Sequence, residues 1–291
     1  MRTRAAGIAF AFFGIAAIGL GSHLDIFDTP FASGAAHPDT PQEQALFIVE
    51  GRGADAFGDK RDWSLMRRFN ALRSGAEPVD RERFMHELAE RKRENDPLGH
   101  YVAHAVHFHG VLGKPDVDAA RADLKRAAEL GHAAAQLDLG FAYMKGHLGM
   151  DRDVELAERW MRRSADNGHA YAAETLSLRL AKGADGFAQD CQAAWDYAVQ
   201  TQDAYDAQVD AWVHTPTLLG LIRIDDCQSL PARPQQAIRW LEEGAVIKGA
   251  NYGASIARVV ANRYESDPAL KDAEKAAHWR RQAQTIAASR Q

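Results

Sequence analysis

The segment Gly131–Ala170, GHAAAQLDLGFAYMKGHLGMDRDVELAERWMRRSADNGHA, decides the fold. It opens on Gly131-His132-Ala133 and ends on Gly168-His169-Ala170, so a second unit begins 37 residues after the first. The same offset relates Ala135 to Ala172, Leu139 to Leu176, Gly146 to Gly183, Asp153 to Asp190 and Ala157 to Ala194. Backwards, it relates Asp116-Val117 to Asp153-Val154 and Ala120 to Ala157. So many matches at one offset mark an internal repeat, and a repeat settles architecture before any local propensity does.

Each unit reads as two helices. Ala135, Leu139, Ala142 and Tyr143 follow i, i+4, i+7, i+8 spacing and share one apolar helix face. Gly146 and Gly149 break that helix. Asp153 starts the second, where a carboxylate satisfies free amides and suits the helix dipole. Leu156, Ala157, Trp160 and Met161 form its apolar stripe, and Asn167-Gly168 ends it. The small side chains of Ala135 and Ala157 let two helices approach closely. No single pair buries such faces alone, so stacked pairs must share a continuous core. The expected fold is all-α, an α-solenoid of about five helix pairs over residues 98–290. An irregular helical N-terminal cap, residues 40–97, is expected before it, with helices at 41–50, 59–74 and 79–94. Ala237 and Trp240, and Ala276 and Trp279, repeat the three-residue step from Ala157 to Trp160. Pro216, Pro231 and Pro234 interrupt the period in between.

These residues resemble the Sel-one-like repeat family, a relative of tetratricopeptide repeats. The pattern is carried by Ala135, Leu139, Gly140, Tyr143, Gly146, Asp153, Ala157, Trp160, Ala165 and Gly168. The fit is close over 131–168, good over 168–194, partial over 99–131 and weak after 204. In the first unit it sets Ala103 and His107 at the places of Ala135 and Leu139. The resemblance implies a non-enzymatic scaffold that holds a protein partner in a concave groove, with no cofactor. Exported bacterial members of the family imply envelope regulators, adaptors in secretion or polymer export, or immunity partners of secreted toxins.

The N-terminus carries an address. Arg2 and Arg4 precede a run from Ala5 to Gly21 without a charged or hydroxylated side chain. Basic residues before an apolar run are the layout of a secretory signal. The run of 17 residues is long for a cleaved core and short of the roughly 20 residues of a full span. Residues 1–21 therefore read as a signal peptide or an inner-membrane anchor, with a helix of the fold as a third reading. The first two place the rest in the periplasm or outside the cell. Residues 22–39, with Pro30, Gly34 and Pro38, read as a flexible tether. Thr40, Pro41 and Glu43 then supply N-cap, first helical residue and capping partner.

Composition narrows the function. With 35 Lys+Arg against 40 Asp+Glu, the net charge is −5, which argues against a nucleic-acid partner. The Arg91-Lys92-Arg93 run is interleaved with Glu87, Glu90 and Glu94 and reads as a solvated helix face. No nucleophile elbow, phosphate loop, dinucleotide fingerprint or calcium loop is present in the sequence.

The one pattern with metal-ligand spacing is His100, His104 and His107, at i, i+4, i+7 on one helix face. It supports an alternative, a metal-dependent hydrolase, but lacks the intervening Glu of helical zinc proteases. The same cluster suits a pH-sensitive contact surface. His132 and His169 recur with the repeat and read as helix-start residues. Cys191 and Cys227 make an even count, which in an exported chain favours a disulfide over two free thiols. Trp160, Trp195, Trp240 and Trp279 are expected in the core, while Trp63 and Trp212, less periodic, are the candidates among the tryptophans for exposed contact residues.

Overall fold

The computed structural model describes residues 60–75, 78–201, 215–227, 230, 234–247 and 253–289. The expected leader, tether and capping residues 40–43, and the whole of Trp212, lie outside these residues, as does the side chain of Trp63.

Among the described residues there are twelve α-helices and no strand. Helices α1 (Lys60–Ser74) and α2 (Arg81–Arg93) form the cap. Five pairs follow: α3 (Pro97–His109) with α4 (Val117–Glu129), α5 (Ala133–Lys145) with α6 (Val154–Asp166), and α7 (Ala170–Lys182) with α8 (Cys191–Gln200). Then come α9 (Thr215–Leu221) with α10 (Pro234–Ala245), and α11 (Gly253–Ser266) with α12 (Ala273–Ala288). A π-turn, Ile222–Asp226, continues α9. From α3 to α8 and from α9 to α12, each helix packs on the next, which is the solenoid the repeat requires.

The helix boundaries follow from capping chemistry. Asp116, Asp153, Asp190 and Asp272 each accept a hydrogen bond from the amide three residues on, at 2.9, 2.8, 3.0 and 3.0 Å, at the starts of α4, α6, α8 and α12. His132 and His169 do the same at α5 and α7 through Nδ1, accepting from Ala135 N and Ala172 N at 3.2 and 3.3 Å. Gly110, Gly146 and Gly183 end the first helices of three pairs in the left-handed conformation.

These caps also correct the register of the first unit. Gly110 stands where Gly146 stands in the second, and Asp96 where His132 stands. Ala103 therefore matches Leu139, and His107 matches Tyr143. The expected register is four residues off, about one helical turn, which leaves the same face of α3 turned inward, and the loop after Gly110 is one residue shorter than the loop after Gly146.

Close packing within pairs rests on small residues. A Cβ on Gly140 would lie 2.6 Å from Met161 Cγ and 3.1 Å from Ala157 O. Gly220 approaches Ala237 O and Leu241 in the same way. Gly140→Leu is expected to destabilise by about 1–3 kcal/mol through overpacking, read as a lower urea midpoint. Gly113→Ala, where nothing lies within 4 Å of the added carbon, is expected to change it by less than about 0.5 kcal/mol. Equal midpoints for the two variants would refute the close-approach argument.

Two expectations are corrected. Only Trp279 among the repeat tryptophans is buried; Trp160, Trp195 and Trp240 are half-buried. The core beneath them is filled by Ala157, Met161, Ala194, Ala237 and Leu241, so these indoles cover its rim. The Arg91-Lys92-Arg93 run is not a uniformly solvated face. Arg91 pairs with Asp96 at 2.8 Å and Lys92 with Asp123 at 2.8 Å, while Arg93 stays exposed. Partners on neighbouring elements draw two of the three cations inward.

Candidate functional site

The first helices of the pairs carry half-buried side chains in rows. Tyr101, His104 and Phe108 come from α3, Asp138 and Phe141 from α5, and Tyr171, Leu178 and Arg179 from α7. Tyr101 OH donates to Asp138 Oδ2 at 2.8 Å, tying the first unit to the second. The Tyr101 ring stacks on His132 with centroids 4.4 Å apart. The Arg179 guanidinium lies 5.6 Å from the centre of the Phe141 ring, tying the second unit to the third. Arg179 Nε also donates to Asp185 Oδ2 at 3.1 Å.

Burial pushes the Asp138 carboxyl up, against the hydrogen bond from Tyr101 that favours its charge. Burial first, then the adjacent Asp138, raises the Tyr101 phenol well above its ordinary range. Burial, then Glu174, pushes Tyr171 up to about 12. The phenols therefore stay protonated as donors. Such a face presents hydrogen-bonding groups and aromatic rings.

The three spaced histidines turn toward α4. His100 Nδ1 lies 2.9 Å from Asp123 Oδ1. His107 Nδ1 lies 3.1 Å from Asp123 Oδ2, within ion-pair distance but off the hydrogen-bond axis. His104 Nδ1 lies 2.9 Å from Ala120 O and so donates to it. Among the described residues, no three His, Cys, Asp or Glu side chains are grouped to hold a metal ion. Helical spacing put the three rings on one face, and α4 supplied Asp123 to two of them and Ala120 O to the third. Sequence reading missed Asp123, Lys92, Asp138 and Arg179. The signal for Asp123 was available, because it occupies the repeat position of Trp160.

Cys191, the first residue of α8, is joined by a disulfide to Cys227, just past the π-turn, with Cα atoms 5.5 Å apart. No helix among the described residues is long and apolar enough to cross a membrane.

Comparison with known proteins agrees with this architecture. The Sel1 repeat model matches residues 100–132, 133–169 and 230–245. The fold is similar to the crystal structure of a Sel1 repeat protein from Oxalobacter formigenes, with a TM-score of 0.58 and 20% identity, covering 76% of this chain and 84% of that one. A protective antigen of uropathogenic Escherichia coli displaying an SLR fold also aligns, with a TM-score of 0.43 and 16% identity over 85% of this chain and 64% of that one. A search among curated proteins gave no match. Repeat matches, capped helix pairs and a shared fold together show that this chain carries Sel1 repeats and folds as an α-solenoid similar to that of a Sel1 repeat protein.

Proposed function

We propose that the protein is a non-catalytic binding scaffold whose protein partner lies along the first-helix face, outside the inner membrane. The observation that carries this reading is the row from Tyr101 through Asp138 and Phe141 to Arg179. It runs across three units and holds both ring and hydrogen-bonding surface. Its rigid presentation limits the entropy lost on binding. The Cys191–Cys227 disulfide supports an oxidising location, as does the apolar run behind Arg2 and Arg4. In that location the roles implied by the resemblance are envelope regulator, adaptor or immunity partner. A tight complex that blocks an enzyme would select immunity, and a weaker one regulation.

The test is co-purification of the full chain from its own cells, with mass spectrometry after a salt wash, beside a Phe141→Ala/Arg179→Ala variant. One stoichiometric protein is expected with the native chain and a loss of at least tenfold with the variant. Recovery of the native chain alone, or equal recovery of the partner by both, would overturn the reading. An alkaline-phosphatase fusion after residue 39 is expected to be active, and an inactive, cytoplasmic fusion would refute the location.

A further inference from the structure

In the second unit, the repeat positions Tyr143 and Trp160 pack on one apolar cluster with Leu124, Ala135 and Leu139. In the third unit, the matching residues are Leu180 and Tyr197, both packed in an apolar cluster. In the first unit these two positions are His107 and Asp123, and the pair is acid–base instead of apolar. Asp123 is buried, with 5% of its surface exposed. It also takes His100 from α3 and Lys92 from α2, at 2.9 and 2.8 Å. One carboxylate thus gathers three basic groups from two helices, one of them in the cap.

The surroundings leave little slack. A Cβ on Gly99 would lie 2.6 Å from Arg91 Cβ, so α3 sits hard against α2. Arg91 is matched by Asp96 and Glu87. Arg126 of α4 reaches Asn95 and Glu129. His104 faces Ala120 O, and on the far side of α3 Tyr101 faces Asp138 of α5. From α1, Arg68 pairs with Glu87 of α2. The charges around the node are therefore already paired, and the node itself balances one carboxylate with one ammonium.

We propose that this node is a proton-operated joint between the cap and the first repeat, closed at neutral pH and opened by acid. With His100 neutral, Nδ1–H donates to Asp123 and the lone pair sits on Nε2. That Nε2 is buried and has no hydrogen-bond partner among the described residues. A proton added there creates a charged donor with no acceptor, which costs more than a neutral nitrogen at the same place. A proton on His107, one-third exposed beside Lys92, makes the node net positive. Both protons come from solvent and are better held when α2 swings off and water reaches the rings. Imidazoles as a class change charge between about pH 5 and 8.

The test is amide hydrogen exchange of the full chain at pH 7.5 and 5.5, corrected for the pH dependence of chemical exchange. The His132→Asn/His169→Asn background is used throughout, because those two buried caps take up protons on global unfolding in the same range. The readout is the rate for α2 amides relative to α12 amides, which the node does not touch. With the node intact this ratio is expected to rise at least tenfold at pH 5.5. With His100→Gln/His107→Tyr/Asp123→Trp added, which installs the second unit's residues, it is expected to stay flat. With His100→Gln/His107→Gln added, which keeps the Asp123–Lys92 pair and amide donors, it is expected to stay flat as well. A flat ratio with the node intact, equal acceleration of α12, or an undiminished rise in the Gln variant would each overturn the proposal.

Discussion

Lowering the pH from 7.5 to 4.5 is expected to cost the fold about 2–3 kcal/mol at each of His132 and His169. Both rings are buried and cap helices as neutral acceptors through Nδ1. Burial lowers each to about 4, and at His132 the charge of a protonated His169 adds to the effect. In the unfolded chain both return to the ordinary imidazole value of about 6.5. Between the two values the unfolded state binds more protons. The stability these residues contribute is therefore complete above about pH 6.5 and is lost as the pH falls toward 4. His132→Asn/His169→Asn keeps an acceptor at each cap and removes the titration. Urea unfolding across this range is expected to show the double variant losing several kcal/mol less than the native chain. It gives up the stack on Tyr101, so at pH 7.5 it is expected to be weaker by about 1 kcal/mol. Parallel pH curves for the two proteins would refute this account of the caps.

Removing the disulfide is expected to cost about 3–4 kcal/mol, the loop entropy of a 36-residue closure. The bond stands where the repeat is least regular. It joins the third pair to the π-turn of the fourth, and Cys227 sits in the same apolar cluster as Ala198, Leu218 and Leu230. Without it, that junction relies on noncovalent contacts. Cys191→Ala/Cys227→Ala is expected to unfold at a lower urea midpoint, and the native chain in reducing agent is expected to match it. Two reactive thiols in the unfolded, unreduced native chain, with no stability difference from the variant, would refute the bridge and its effect.

Residue type and spacing alone determined the architecture. The 37-residue period fixed the helix pairs, because only stacking buries faces such as Ala135-Leu139-Ala142. The caps were legible too, since Asp153, Gly146 and Gly168 act through their own backbone neighbours. These interactions are local, and local chemistry is written in order along the chain. Contacts between units are not. That Tyr101 meets Asp138, that Arg179 lies over Phe141, and that Lys92 turns inward to Asp123 depends on how far one pair rotates on the next. The histidine spacing specified a face, but α4 decided what that face meets. That Asp123 stands at the repeat position of Trp160 is written in the sequence, but its role there was not read from it. Only the tertiary structure brought His100, His107 and Lys92 around it, because a buried carboxylate must find its partners across helices.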